Sequence, residues 1–587
     1  MGQDNLQRPR WKILDERLPA TVADVIDIIL HNRNLDGADF SGDLKDLADH
    51  LCIRGMSEGA ALLAKHMENR DKIVVIADYD CDGITSAAQM ALFFQEIGYP
   101  AFEVVIPSRK EGYGVPERAI AENPDAKVFI ALDCGTLDHE PVRRARSLGA
   151  DFIVIDHHEL PGTGACCSHA PATVLINPKH PECCSSFKEF CASGLTFLFL
   201  AALRRAMQSV PTGLASPRLG GKYLALAATG TVADLVPLVS ANRILARNGL
   251  RNLNANSSAP LSQLAAKAGL SGKKLTAGHI GFYLGPRINA AGRISEGQIA
   301  FELLTTEEPA KLTRLAAELE AFNGQRRAQE EKIVSEIASR MRQTPPTGRT
   351  LVMGSGGWQP GVVGIAASRV QQDLFFAPVV VLSIDEAAGT ARGSARSIPG
   401  FDMHNALSRC SDLLIRWGGH KAAAGLTISN DRIEEFVARM EEIARDYPEK
   451  IFLPRGKVDL ELPLALATPE LVRALEELEP HGMGNPAPVF AVRGARIRSA
   501  TVFGKEQNHL RLELENGLEG IWWRGARRFP AKSLPASPGP GAAQDIVFRI
   551  GWNGFRKKVS LEIIDLGREL GIRNGGANSS SPLLIHS

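Results

Sequence analysis

Four groups of carboxylates each stand at the end of a short β-prone run. Asp78, Asp80 and Asp82 follow Ile73 to Ala77, and Asp133 follows Val128 to Leu132. Asp156 opens the triplet Asp156, His157, His158 after Phe152 to Ile155, and Asp234 follows Thr231, Val232, Ala233. Carboxylates delivered together to one edge repel one another unless cations neutralise them, which points to a metal centre. Oxygen ligands with one or two imidazoles suit manganese or magnesium, whereas structural zinc prefers thiolates. Two ions sharing a carboxylate serve phosphoester hydrolysis, one activating water and the other taking the charge of the leaving oxygen. Asp80 and Asp82 lie two residues apart, so an extended segment turns both to one side, and Gly83 permits the turn into a helix opened by Thr85 and Ser86. Taken singly, an aspartate at a strand end is more often a helix cap or turn residue. The four groups together carry the metal reading.

The elements that must position these groups are buried strands of a parallel sheet. Such strands read as short β-branched runs, and an open α/β sheet places its site at their carboxyl ends. A chain of 587 residues exceeds what one core organises, so several domains are expected. The fold class is α/β multidomain. Residues 1–60 read as a helical lead-in, with Val22, Val25, Ile26, Ile29 and Leu30 at helical spacing. Residues 61–265 alternate strand-like and helical runs, the pattern of a doubly wound parallel sheet. Residues 266–346 hold a Gly- and Asn-rich segment and a long polar linking helix that ends before Pro345 and Pro346. A second α/β domain over 347–450 restarts with Thr350 to Met353 and has its next strand at Pro378 to Ser383. From 451 to 568, short β-prone runs separated by Gly, Pro and Asn turns suit a small barrel. Residues 569–587 are Gly-, Ser- and Asn-rich and read as a disordered tail.

Composition narrows the class. The formal net charge is +1, so a polyanion must be met by a local patch rather than by the global field. Nine cysteines, an odd number in a long chain, do not look like a disulfide framework, and the cytoplasm is the natural location. No apolar run reaches the length of a membrane helix, and the first residues lack the apolar core of a signal peptide. Cys166, Cys167, Cys183, Cys184 and Cys191, with His169 and His180, cluster between Asp156 and Asp234. Adjacent cysteine pairs are not the spaced knuckles of common zinc modules, so the stretch reads as a loop of reduced thiols. There is no phosphate-binding loop ending in Gly-Lys-Ser or Gly-Lys-Thr, no zincin helix and no nucleophile elbow.

The chain resembles the DHH phosphoesterases, and within them the single-strand-specific exonucleases. The matching segments are Ala77 to Ser86 (ADYDCDGITS), Pro107 to Gly114 (PSRKEGYG), Leu132 to Gly135 (LDCG), Asp156 to His158 (DHH) and Gly230 to Leu235 (GTVADL). They continue with Gly285 to Arg293 (GPRINAAGR), Gly361 to Arg369 (GVVGIAASR), Gly393 to Ser397 (GSARS), Gly418 to Gly425 (GGHKAAAG) and Glu479 to Pro486 (EPHGMGNP). The resemblance makes 61–265 a DHH catalytic domain, 347–450 a DHHA1 domain and 451–568 an OB-fold. It implies a 5′ to 3′ exonuclease that releases 5′-mononucleotides from single-stranded DNA in repair and recombination. In that reading Asp80, Asp82, Asp133, His157 and Asp234 hold two divalent ions, Mn2+ or Mg2+. Asp78 and Asp156 orient the loop and imidazole, and His158 supports the site or touches phosphate. Two rivals are a phosphodiesterase of very short or cyclic oligonucleotides, whose relatives lack the C-terminal motifs, and a catalytically silent DNA-binding scaffold, against which the intact ligands argue. Cys81 stands between two proposed ligands, where oxidation or a thiophilic metal would interfere.

A nuclease for single strands needs a groove that tracks phosphates and flat surfaces for bases. Residues 491–558 contain 13 Lys or Arg against 5 Asp or Glu, with Trp522, Trp523, Phe529, Trp552 and Phe555 among them. Trp552, Phe555, Arg556, Lys557 and Lys558 are the expected surface contacts, because they lie in a turn-like segment. Nearer the metals, Arg109, Arg287 and Arg293 stand beside glycines that let backbone approach phosphate, with guanidinium groups able to grip two phosphate oxygens. By resemblance, Arg293, Ser394 and Arg396 recognise the 5′ end, while Gly418, Gly419 and His420 hold the phosphate chain near the scissile bond. Implied partners are single-stranded DNA, a single-strand-binding protein and a helicase, with the chain a monomer and no membrane involved.

Overall fold

The computed structural model describes residues 10–35, 40, 42–161, 168–209, 213–215, 217–527, 543–554 and 556–567. Cys166, Cys167, Phe529, Phe555 and the tail from 569 lie outside them. The described residues divide into two compact units.

One unit comprises residues 38–327 and 480–486. Its sheet has five strands, β1 (Ile73–Ala77), β2 (Phe102–Val105), β3 (Val128–Leu132), β4 (Asp151–Ile155) and β5 (Val174–Ile176), all parallel, in the order β2-β1-β3-β4-β5. Every residue of β1 and β3 is buried, because helices cover both faces of the sheet and leave no polar side for alternation to show. Chain order reverses between β1 and β3, and that switch point is where such a sheet opens its crevice. α1 (Cys81–Glu96) leaves β1 and is buried along Cys81 to Phe94, packed beside α2 (Ala192–Met207) and α3 (Gly221–Ala233). Gly83 is required in its first turn, since a Cβ there would fall 2.3 Å from the Asp78 carbonyl oxygen.

The segment GPRINAAGR, read as glycine-rich, is the helix α4 (Gly285–Ile294), entered through a π turn over Ile280–Leu284. The glycines serve close packing. A Cβ at Gly285 would lie 3.1 Å from Ala233 Cβ. The linking helix is α5 (Pro309–Gln343).

The other unit comprises residues 1–37, 328–479 and 487–587. Its first sheet runs β9 (Leu414–Gly419), β10 (Ala423–Ser429), β8 (Thr390–Arg396), β7 (Val379–Asp385), β6 (Leu351–Ser355); only β6 and β7 pair in parallel. The barrel consists of β11 (Phe490–Phe503), β12 (His509–Leu514), β13 (Glu519–Trp522), β14 (Ala543–Asn553) and β15 (Lys558–Gly567), closed by pairing of β11 with β14. β11 bends through two register shifts, between Val492 and Ala495 and between Ile497 and Ser499.

The lead-in is not wholly helical. Arg10–Ile13 is a strand that pairs in parallel with Arg455–Val458, ahead of the expected helix Val22–Asn32. Trp11 anchors it, 8% exposed, its indole Nε1 donating to Asp565 Oδ2 at 2.9 Å. The ring lies where a Cβ on Gly456 would come within 2.2 Å of it. Trp11→Ala is expected to cost about 3–5 kcal/mol, read as an earlier denaturant midpoint for this unit. No helix among the described residues is long and apolar enough to cross a membrane.

Candidate metal centre

Beyond β1 the Asp78 amide donates to the Leu132 carbonyl, and Asp80 caps α1, its Oδ1 accepting from the amides of Asp82 at 2.9 Å and Gly83 at 3.1 Å. Asp80 is thus a cap and a site residue at once. Asp82 follows in the first turn, 1% exposed. Its oxygens accept from the Ala192 amide at 2.7 Å and the Ser193 amide at 2.9 Å, the opening amides of α2, whose positive end suits a carboxylate. Cys191 caps α2 and sets its thiol against Asp82 and 3.5 Å from the Thr231 hydroxyl.

Asp133 ends β3 with φ +62°, a left-handed conformation that a short polar side chain tolerates and that clusters at functional sites. Asp234 caps the end of α3, so Thr231 to Ala233, read as a β-prone run, is helical and Asp234 reaches the site from a helix rather than from a strand. His157, after β4, draws these ends together: its Nε2 lies 3.3 Å from Asp133 Oδ1, 3.6 Å from Asp234 Oδ2 and 3.8 Å from Asp82 Oδ2. Asp78, Asp80 and Asp133 form a second group, and Asp133, His157 and His158 a third, each with ligand atoms within 4.8 Å of one another. Asp78 therefore stands among the groups able to hold an ion, in front of the supporting place that sequence suggested for it, whereas His158, its Nδ1 engaged by Asp156, keeps a supporting place. Asp156 sits behind, accepting from His158 Nδ1 at 2.7 Å and from the amides of His157 and Thr136. Asn177 Nδ2 donates to the His158 carbonyl at 2.9 Å.

So many carboxyls in one dry place cannot all ionise unaided. Burial, then the Asp80 charge, pushes Asp78 up to about 8 and Asp82 up to about 7. Burial and the neighbouring aspartates, Asp82 first, raise Asp133 and Asp234 well above the carboxylate range. Burial and the adjacent His158 lower His157 to about 3, so its imidazole is neutral and has a lone pair to give. Burial also opposes charge on His158, but the Asp156 carboxylate prevails and lifts it to about 9. Asp78 Oδ1, Asp133 Oδ1 and His157 Nε2 are buried without a hydrogen-bond partner. Orphaned acceptors of this kind, gathered in one place, fit divalent cations. The Cys81 thiol, between two of the ligands, is buried and pushed well above its ordinary range by that burial, so oxidation there is disfavoured.

The groups open on a cavity of about 290 Å3 lined by Asp78, Tyr79, Asp80, Arg109, Tyr113, Asp133, His158, Asp234, Asn289 and Arg293. Arg109 Nε donates to the Gly292 carbonyl and its guanidinium lies 4.6 Å over the Tyr79 ring. Arg287 does not reach the cavity: it is buried, paired with Glu320 and donating to the Tyr283 carbonyl. Besides Tyr79, two lining residues were missed by sequence. Tyr113 donates to the Asp133 carbonyl at 3.0 Å and touches His158, and Asn289 Oδ1 accepts from the Cys81 amide at 2.7 Å, holding the loop of ligands. Both lie inside quoted motifs, but neutral polar residues beside arginines gave no separate signal.

EPHGMGNP also gains a role. The Leu238 amide donates to the Met483 carbonyl at 2.7 Å, and Gly484, at φ +71°, leaves 2.9 Å between a would-be Cβ and Pro237. The motif clasps the segment that follows Asp234. Removing residues 451–587 would therefore strip the catalytic lobe as well as the barrel.

In the other unit, Ser394 and Arg396 lie together on β8. Arg396 donates to Ser394 Oγ at 2.7 Å and to Ser368 Oγ at 2.8 Å, and a Cβ on Gly364 would meet both. Gly418 and Gly419 end β9, and the His420 amide donates to the Ala423 carbonyl at 2.8 Å across the hairpin. On the barrel, Arg556 and Lys558 are held by Glu519 at 2.6 and 2.9 Å, so they are ion-pair partners rather than free phosphate contacts. Lys557 is the hairpin residue at φ +51° and Trp552 is 48% exposed on β14. Trp522 is 4% exposed and fills the barrel, whereas Trp523 is 54% exposed. Trp523 packs edge-on to His509 and Phe503, with ring centroids 5.0 and 6.0 Å away. Lys505, His509 and Arg524 line an adjoining cavity of about 560 Å3 with Asn508, Glu506, Arg369 and Glu331.

A parallel sheet with an acidic, histidine-bearing centre at its switch point, a mixed α/β domain and a closed barrel define a DHH phosphoesterase. Family models agree: the DHH family N-terminal domain matches residues 72–231, the DHHA1 domain 347–446 and the RecJ OB domain 458–565. The single-stranded-DNA-specific exonuclease RecJ of Escherichia coli is 31% identical over 568 residues, covering 93% of this chain and 96% of that protein. The Bacillus subtilis RecJ is 34% identical over 89% of this chain, which spans 64% of that protein's length. A crystal structure of Thermus thermophilus RecJ in complex with Mn2+ superposes with a TM-score of 0.77 at 29% identity, covering 95% of this chain and 79% of that one. Its Mg2+ complex gives 0.73 at 28% identity, covering 95% and 78%. The chain belongs to the RecJ family of single-stranded-DNA-specific exonucleases.

Proposed function

We propose that this chain hydrolyses single-stranded DNA from its 5′ end and releases 5′-mononucleotides. Asp80, Asp82, Asp133, His157 and Asp234 hold two divalent ions, Mn2+ or Mg2+, with Asp78 and His158 adjoining them. The observation that carries this reading is the convergence of Asp82, Asp133 and Asp234 on His157 Nε2, with buried acceptors left unpartnered. Bound ions would supply an activated water and neutralise charge on the leaving oxygen. The protein contributes the rest. Asp156 holds His158 charged and oriented, as an outer partner of a metal site does. Tyr113 and Asn289 brace Asp133 and the ligand loop, and Arg109 and Arg293 offer guanidinium groups to phosphate from the cavity wall. Arg293, Ser394 and Arg396 recognise the 5′ end, and Gly418, Gly419 and His420 hold the phosphate chain. The enzyme acts in the cytoplasm as a monomer, on strands delivered by a helicase and a single-strand-binding protein.

Time courses on single and double strands labelled at either end test this: the 5′ label of a single strand should appear at once as mononucleotide. Early release of a 3′ label, or equal attack on duplex, contradicts it.

For the barrel, the exposed aromatics and cations favour the Trp523 face over the Trp552 hairpin, whose Arg556 and Lys558 are engaged by Glu519. Trp523→Ala is expected to weaken binding of long single strands about tenfold, the worth of one stacked base, and to leave hydrolysis of a dinucleotide unchanged. Equal losses on both substrates would show that the change disturbs the fold instead.

A further inference from the structure

The catalytic chemistry leaves the cysteine-rich loop unused, and the loop is built around a pair of thiols. Cys52, which ends the 3-10 helix Leu44–Cys52, and Cys184, in the loop between β5 and α2, are both exposed. Cys184 Sγ donates to the Cys52 carbonyl at 2.8 Å. Contacts on either side hold them there. His50 Nδ1 lies 3.4 Å from Ser185 Oγ, the His50 ring packs on Phe190 with centroids 5.3 Å apart, and Arg54 pairs with Glu182 at 3.3 Å. Lys188 Nζ donates to the Cys183 carbonyl at 2.8 Å. Cys81, Cys134, Cys191 and Cys410 are buried. Among the described residues, no cysteine belongs to a group able to hold a metal ion.

We infer that Cys52 and Cys184 form a reversible disulfide when the protein meets hydrogen peroxide. One thiolate attacks the peroxide, its sulfur taking a hydroxyl group as the oxygen–oxygen bond breaks and one water leaves. The second thiol then displaces that hydroxyl as a second water. Two thiols lose two electrons, and the peroxide is reduced to two waters. The Cys184 thiol already lies against the Cys52 backbone, so the two side chains are neighbours. The disulfide joins positions 132 residues apart, a long loop whose closure favours the folded state. The loop it pins runs between two site contacts, Asn177 on the His158 carbonyl and the α2 amides on Asp82. The disulfide is therefore a clasp on the lobe that carries the ligands.

The test exposes the full-length protein to hydrogen peroxide at 25 °C, alkylates remaining thiols and maps digested peptides with and without dithiothreitol. One reducible Cys52–Cys184 peptide is expected, with a thermal midpoint raised by about 5 °C and degradation of single-stranded DNA within twofold of the untreated protein. Cys52→Ser and Cys184→Ser should each lose the cross-link and the shift while keeping their untreated midpoint and activity. A Cys183–Cys184 link, sulfinic acid without a Cys52 cross-link, or a cross-link that forms only above the melting midpoint would overturn the inference.

Discussion

Replacing Asp133 with asparagine is expected to slow manganese-dependent degradation of single-stranded DNA by about 10^3-fold or more, because several kcal/mol of charge stabilisation would depend on the ions this carboxylate is proposed to hold. Asparagine tolerates the φ of +62° as aspartate does. It also removes a charge that burial opposes, so melting and strand affinity should hold. Asp82→Ala should be as inactive but less stable. The Ala192 and Ser193 amides would lose their acceptor, at about 1–3 kcal/mol for each group left unsatisfied. Initial rates on labelled strands, thermal melts and filter binding separate the two variants. Activity within tenfold of the parent in Asp133→Asn would place the chemistry elsewhere.

Cations should also reverse the pH dependence of stability. In their absence Asp78, near 8, and Asp82, near 7, keep protons that the same side chains in an unfolded chain have released by pH 5. The folded state then binds more protons than the unfolded one, so its stability falls as pH rises through that window. Between pH 6 and pH 8 the loss is on the order of 3 kcal/mol. Manganese takes the place of those protons, and its stabilisation should be larger at pH 8 than at pH 6. Melts in chelator and in saturating manganese at the two pH values measure this. A manganese shift that is equal at both, or a chelated protein that gains stability with pH, would count against crowded carboxylates as the site.

The centre was legible in sequence because two features coincide at every ligand except Asp234, which ends the helix α3 rather than a strand. β1, β3 and β4 are unbroken β-branched runs, and the aspartates or DHH follow them directly, so strand ends and chemistry are marked by neighbouring residues. What failed to show depends on partners far along the chain. Arg287 looks like Arg293 beside glycine, yet it turns inward to Glu320, 33 positions away. Arg556 and Lys558 look like free cations until strand pairing places Glu519 beside them. Trp522 and Trp523 are adjacent and identical in type, and only the register of β13 decides which fills the barrel. Arg10–Ile13 is four residues long and becomes a strand because Arg455–Val458 offers it an edge, which no local pattern records. α4 is a helix despite its glycines, because close approach to α3 outweighs their low propensity.

Crystals grown in manganese, measured at the manganese absorption edge, test the convergence of the ligands most directly. Two anomalous peaks are expected among Asp80, Asp82, Asp133, His157 and Asp234, with at least one carboxylate shared between them, and the same peaks should be missing in Asp133→Asn. Strong peaks elsewhere in the molecule with none between these side chains would contradict the metal centre, and with it the hydrolysis assigned to it.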